Sequence, residues 1–329
     1  MFATRRKRYQ ASGYLLHLVT PQPRIAIAPQ PAAGWIGQAV VDGGGQVTSI
    51  AEAEALVWTS PRGADDLVAL LAGAPQIEWV QLPWAGVEDF AALGIFAPAG
   101  PAERRWTCGK GVYAEPVAEH ALALGLAGLR DFPERVRATS WGRQTGRSLY
   151  DARVTIVGGG GITEALLDLL RPYRADVTVV RRSPEPMAGA TRTVTVDHLH
   201  EALATADLVV LALALTPGTE RIIDADALAH MQPHAWLVNV ARGRHVDTDA
   251  LVEALRRNQI GGAGLDVTDL EPLPDGHALW SLPNVIVTPH TANTPEMAMP
   301  LLAARITENV RRFANGEPLV GSVDPTLGY

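Results

Sequence analysis

The run Val154-Thr155-Ile156-Val157 followed by Gly158-Gly159-Gly160-Gly161 constrains this chain more than any other stretch. Its branched apolar residues read as a short buried strand, the glycines end that strand, and Glu164 to Leu170 reads as the helix after it. A strand, a glycine turn and a helix in this order bring bare backbone and a helix N-terminus to one point. Unpaired N–H groups and the positive end of the helix dipole there favour a diphosphate. Gly158 and Gly160 take the first two positions of G-x-G-x-x-G, whereas Thr163 stands at the third. A side chain at that place either moves the helix outward or lends its hydroxyl to the first turn. Taken alone, the motif also fits a glycine-rich turn that binds nothing.

The alternation of strands and helices downstream narrows the choice. From Val154 onward the expected strands are 154–157, 177–180, 208–213, 236–240, 263–267 and 285–287. Helical patterns fall at Glu164–Leu170, Asp197–Ala204, Asp224–His230 and Asp247–Arg257. Six strands with intervening helices are the count of a doubly wound dinucleotide fold. Upstream, Arg24–Ala28, Ala55–Trp58 and Ile77–Leu82 read as strands, with a helix over 64–71, so an earlier parallel α/β unit is expected. Val117–Arg130 is a broad Ala/Leu-rich helix expected to lie between the two bodies, and Arg135–Trp141 reads as an arm that docks on a second subunit. Glu296–Phe313 supplies a closing helix. At 329 residues the chain is long enough for two cores.

The second strand of the later unit decides which dinucleotide is expected. A carboxylate about 20 residues beyond the glycines normally holds the adenosine ribose hydroxyls, and here the strand ends in Arg181-Arg182-Ser183. Two guanidinium groups and a hydroxyl suit a ribose 2′-phosphate through charge-assisted hydrogen bonds. NADP(H) is therefore favoured, with NAD(H) possible if these arginines are merely solvated charges.

A formal net charge of −7 provides no general attraction for nucleic-acid phosphates. No apolar run approaches the roughly 20 residues that span a bilayer, so neither nucleic acid nor membrane is expected as a partner. Cys108 is the sole cysteine, so an internal disulfide is excluded, a cytoplasmic location is expected, and the thiol is read as a packing residue. Residues 1–20, with Arg5, Arg6, Lys7 and Arg8 ahead of a short apolar stretch, read as a disordered extension; no metal site is expected.

Three later strand ends hold an unusual set of ionisable groups: Asn239-Val240-Ala241-Arg242-Gly243, then Asp266 through Glu271-Pro272-Leu273-Pro274, then Thr288-Pro289-His290. Strand C-termini are where ligands sit in open α/β sheets, so an anion binder, a carboxylate and an imidazole share one rim. With these, the loop Ala85-Gly86-Val87-Glu88 and the helix start Val117-Ala118-Glu119-His120, the chain resembles the D-isomer-specific 2-hydroxyacid dehydrogenases from about Arg24 onward.

The resemblance implies two Rossmann-like, doubly wound α/β domains with the active site in the cleft between them. Residues 21–112 and 296–329 would form a discontinuous substrate domain and residues 113–295 the NAD(P)-binding domain, usually as a homodimer. Hydride would pass between NAD(P)H and a small 2-keto acid to give a D-2-hydroxy acid. Arg242 would bind the substrate carboxylate and carbonyl, His290 would be the general acid/base, and Glu271 would orient it. Gly158, Gly160, Gly161, Ile162, Arg181, Arg182, Ser183, Ala241 and Asp266 would hold the cofactor, Asp266 at the nicotinamide carboxamide. Trp84, Ala85 and Gly86 would meet the substrate. Thr163, Ala214, Asn293 and Glu88 depart from the usual glycine, proline, glycine and aspartate. Trp58 and Trp84 point to an apolar or bulky 2-keto acid rather than a phosphorylated one, unless they are simply core. The competing reading from another class is a dinucleotide-sensing, corepressor-like binding protein on the same fold.

Overall fold

The structure is a computed structural model that describes residues 22–60, 63–96 and 104–325. The extension expected over residues 1–20 lies outside them.

The first unit is a five-stranded parallel sheet of β1 (Arg24–Ala28), β2 (Gln46–Val47), β3 (Ala55–Trp58), β4 (Trp79–Gln81) and β5 (Arg105–Thr107), in the order β2-β1-β3-β4-β5. Helices α1 (Gly34–Asp42), α2 (Ala64–Ala72) and the short α3 (Glu88–Ala92) occur along this stretch. All residues of β3 and β4 are buried, as expected of a parallel sheet covered on both faces.

The second unit holds β6 (Arg153–Val157), β7 (Asp176–Val180), β8 (Arg192–Val194), β9 (Leu208–Leu211), β10 (Trp236–Asn239), β11 (Gly262–Leu265) and β12 (Val285–Val287). Its order is β12-β11-β10-β9-β6-β7-β8, parallel throughout. The sheet therefore has seven strands where the pattern predicted six. The extra one, β8, is a three-residue edge strand with no fully buried residue, so it lacks the apolar run that marks its neighbours. The predicted strand 208–213 also stops at Leu211, because Ala212 and Leu213 turn away beside the glycine loop.

Four helices of this unit cross between its strands: α6 (Gly161–Leu170), α7 (Leu199–Leu203), α8 (Ala225–His230) and α9 (Thr248–Arg256). Asp224 and Asp247 cap the last two, their carboxylates accepting the N–H of Ala227 and Ala250. Ahead of the second sheet, α4 (Ala114–Leu129) starts three residues earlier than expected and is followed by α5 (Phe132–Arg135). The body of α4 lies on α6, β9, β10 and β11, so its broad apolar surface is explained by the second sheet. Its N-terminal end meets the first unit, where the Tyr113 hydroxyl donates to Pro83 O at 2.7 Å.

The long α10 (Pro295–Ala314) returns the chain to the first unit. Thr307 Oγ1 donates to Ala39 O, Asn309 Nδ2 to Gln81 Oε1 and Val323 N to Trp106 O. Among the described residues, no helix is long and apolar enough to cross a membrane.

Candidate active site

The strand order reverses between β6 and β9, and the carboxyl ends of strands at such a switch are where α/β sheets bind ligands. Gly158 sits there with φ 121°, and a Cβ on it would lie 2.0 Å from Ala212 O, so the approach of the two strand ends requires glycine. Gly160 is exposed, and open space surrounds the position its Cβ would take. Gly161 and Ile162 begin α6, so its unpaired N–H groups lie next to that space. Thr163 is fully buried and its hydroxyl donates to Gly158 O at 3.0 Å. The departure at the third position thus ties the turn to the helix. Bare backbone, open space and a helix N-terminus together fit a dinucleotide diphosphate.

Arg181, just past β7, lies over Gly159, its Cδ 2.8 Å from the place of a Cβ there. Arg182 is exposed, and Ser183 Oγ accepts from Glu185 N at 3.3 Å. The loop after β9 carries Ala214, whose carbonyl accepts from Thr219 Oγ1 at 2.8 Å and faces His245 Nε2 at 3.3 Å.

On the next strand end, Asn239 brackets the turn that carries Arg242: its amide oxygen accepts from Ala241 N and its amide nitrogen donates to Arg242 O. Ala241 is buried in this turn. His245, completely buried, accepts the Arg242 N–H on Nδ1, which leaves Nε2–H for Ala214 O. Burial lowers its pKa, the neighbouring Arg242 charge adds to this, and the neutral ring is what these two bonds require.

The Arg242 guanidinium points across to the first unit. Nε donates to Glu88 Oε1 at 2.8 Å and Nη1 to Ala241 O at 2.7 Å, while Nη2 occupies the place of a Gly86 Cβ. Any side chain at Gly86 would displace the guanidinium. Ala85 is exposed beside it, and Trp84 is part-buried against Tyr113 with ring centroids 5.5 Å apart. Cys108, behind this loop, is buried with its thiol pKa pushed up by desolvation, as a packing residue should be.

His290 and Glu271 meet beyond the ends of β12 and β11, with His290 Nδ1 2.5 Å from Glu271 Oε1. The hydrogen bond that His290 donates to Glu271 holds His290 above its ordinary pKa, and the same bond holds Glu271 below its own. Nδ1 is committed to Glu271, leaving Nε2 for another partner. The charges of Arg242 and Asp266 act on both residues, so all four groups converge.

Asp266, expected at the nicotinamide carboxamide, directly follows β11. Its side chain is 1% exposed and lies under the His290 segment. Oδ1 accepts from Thr288 Oγ1 (2.6 Å) and Thr291 N (2.8 Å), Oδ2 from Ala292 N (3.0 Å), and His120 Nε2 lies 3.3 Å from Oδ1. Burial alone would raise its pKa, but these donors outweigh burial and bring it to about 2. His290 itself has φ 53°, a left-handed conformation uncommon for a residue with a side chain, and its N–H donates to Asp266 O.

Glu88, His120, His245 and Thr288 are thus parts of the site that the sequence pattern does not assign. Glu88 and His120 stand in the motifs that carry the resemblance, but nothing local pairs them with Arg242 and Asp266. Away from the site, exposed His200, Asp226 and His230 on α7 and α8 bring possible metal-donor atoms within 4.8 Å of one another.

Residues 120–292 match the family described as D-isomer specific 2-hydroxyacid dehydrogenase, NAD binding domain. The chain is 38% identical over 299 residues to an uncharacterized protein in the proB 3′ region of Corynebacterium melassecola, covering 88% of this chain and 95% of that one. It is 34% identical over 253 residues to a glyoxylate reductase of Pyrococcus furiosus, covering 73% and 71% respectively. The fold superposes with a TM-score of 0.80 and 29% identity on a D-isomer specific 2-hydroxyacid dehydrogenase from Xanthobacter autotrophicus Py2, crystallised with NADPH and MES, covering 94% of this chain and 100% of that one.

Proposed function

The chain belongs to the D-isomer specific 2-hydroxyacid dehydrogenases, and we propose that it reduces a small 2-keto acid to the D-2-hydroxy acid, with NADPH preferred to NADH. The observation that carries this reading is the convergence of His290, Glu271 and Arg242, with the guanidinium laid against Gly86.

The substrate carboxylate binds at the Ala85–Gly86 backbone and the Arg242 guanidinium. Arg242 also polarises the carbonyl, for which a forked, permanently charged donor is suited. When bound, the nicotinamide cofactor supplies the hydride to the carbonyl carbon. His290 Nε2 gives its proton to the carbonyl oxygen as negative charge develops there, and takes it back in the reverse direction. Glu271 fixes the ring through Nδ1 and favours the imidazolium needed for reduction.

Gly158, Gly160, Gly161 and Ile162 hold the diphosphate, and Arg181, Arg182 and Ser183 hold the ribose 2′-phosphate. The NADPH bound by the Xanthobacter relative supports that preference. The substrate domain comprises residues 21–112 and 296–329, a division supported by the return of α10 onto the first unit. Exposed Val136 and Trp141 support a homodimer in which this arm is covered.

The test is oxidation of NADPH and, separately, NADH against a panel of 2-keto acids. NADPH-linked turnover with D-configured product supports the proposal. Tight dinucleotide binding without turnover on any member would replace it with the sensing-protein reading.

A further inference from the structure

Resting on that reading, we propose that the substrate carries an uncharged aromatic side chain, held in a cavity of about 370 Å³ beside the Ala85–Gly86 loop. The cavity lies where the ends of β3 and β4 face the first turns of α10, and Trp35, Trp58, Trp84, Tyr113 and Met299 contribute to its wall. Trp84 immediately precedes Ala85 and Gly86, and Pro295, also in the wall, lies five residues beyond His290. A 2-keto acid anchored by its carboxylate at Gly86 and Arg242, with its carbonyl at His290, therefore has this cavity within reach of its remaining substituent.

Size and charge select that substituent. Glyoxylate has only hydrogen there and hydroxypyruvate a hydroxymethyl group, so either would leave indole faces against water. An aromatic ring would bury them, and the cavity falls in the roughly 300–1,000 Å³ range of small-molecule sites. Glu296 is the one charged residue among the described residues of the wall. With no lysine or arginine to pair it, a phosphate or second carboxylate would be desolvated next to like charge. The indole of Trp58 adds a finer preference. Trp58 is 2% exposed and its Nε1–H has no acceptor among the described residues. Buried donors normally have partners, and the oxygen of a ring hydroxyl would supply one.

Two measurements test this. In the first, kcat/KM is compared for phenylpyruvate, 4-hydroxyphenylpyruvate, glyoxylate, hydroxypyruvate and phosphohydroxypyruvate. Both aryl acids should exceed the other three by at least about tenfold, the scale on which a fitted apolar pocket discriminates. Glyoxylate or hydroxypyruvate used as well as the aryl acids would overturn the inference and leave the dehydrogenase reading standing.

The second is calorimetric titration of the NADP⁺-bound protein with unreactive acids, which reads the pocket without turnover. 3-Phenylpropionate should bind at least about tenfold more tightly than propionate. 3-(4-Hydroxyphenyl)propionate should bind more tightly still, an increment that Trp58→Phe removes. Equal binding of propionate and 3-phenylpropionate would overturn the inference. Aryl-selective binding without turnover of any keto acid would support the pocket while defeating the enzymatic reading beneath it.

Discussion

Arg242 and Glu88 face each other across the two units, Nε donating to Oε1 at 2.8 Å. The pair leaves Nη2 against Gly86 and thereby aims the guanidinium at the loop expected to receive the substrate carboxylate. Glu88→Ala should raise KM for the keto acid by about tenfold with a smaller change in kcat, because orientation of a binding group is lost while the proton donor stays in place. Steady-state kinetics check this. An unchanged KM would mean that Gly86 and Ala241 alone position the guanidinium.

His290→Ala removes the proposed proton donor without touching the glycine loop. The expected loss in kcat is about 10²–10⁴, the usual worth of positioned acid–base catalysis. NADPH affinity, measured by titration of its fluorescence, should change little. Equal turnover in the variant and the parent would remove His290 from the mechanism.

The Glu271 contact sets a pH dependence. His290 is raised above its ordinary 6.5 by the hydrogen bond to Glu271. Keto-acid reduction, which needs the imidazolium, should therefore persist above the ordinary 6.5 and fall as pH rises through the raised pKa. Hydroxy-acid oxidation should rise over the same limb. Glu271→Gln removes the charge that favours the imidazolium, so both limbs should move to lower pH. A pH profile of kcat/KM in each direction checks it, and an unmoved limb would assign the titration to another group.

Much of this is legible from the chain. Strands 154–157 and 285–287 keep their predicted bounds to within a residue, and the helices after Asp224 and Asp247 begin where an acidic cap precedes an apolar repeat. Helix α1 escapes the pattern because Gly34 and Gly37 weaken its propensity and no side chain caps it. Strands β2, β5 and β8 escape it because each is two or three residues long and begins with a polar residue, so none shows the apolar run that marks the equally short β12. The proposed trio of Arg242, Glu271 and His290 is readable since each member lies beyond its own strand. The pairing of Glu88 with Arg242 is not, because 154 residues separate them and only the packing of the two units brings them together. His245 carries no signal in the sequence pattern, and only its burial between Arg242 N and Ala214 O brings it to the site.

Arg181, folded over Gly159, and its neighbour Arg182 form the proposed clamp for the 2′-phosphate. Replacing both with alanine should weaken NADPH by at least about tenfold, the loss of one or two charge-assisted bonds. NADH should weaken much less, and raised ionic strength should narrow the difference. Equal losses for the two nucleotides would show that the arginines serve the loop rather than the phosphate.

Asp266 separates two roles that one residue could fill. If it served chiefly as a cofactor contact, Asp266→Asn would weaken nucleotide binding and leave stability intact. Its position beneath Thr288, Thr291 and Ala292 argues for a different outcome. An amide has one accepting oxygen and would turn N–H groups towards backbone N–H groups, so at least one buried donor loses its partner. Destabilisation on the order of 3 kcal/mol is expected in urea unfolding, together with a fall in kcat as the His290 segment shifts. The same bonds set the sign of the pH dependence. Asp266 titrates at about 2 in the fold against an ordinary 3.8, so its stabilisation is complete above 3.8 and fades as pH falls towards about 2. That acid limb should be present in the parent and reduced in Asp266→Asn. A variant of parental stability at neutral pH, with weakened NADPH binding alone, would return Asp266 to the nicotinamide and remove it from the support of His290.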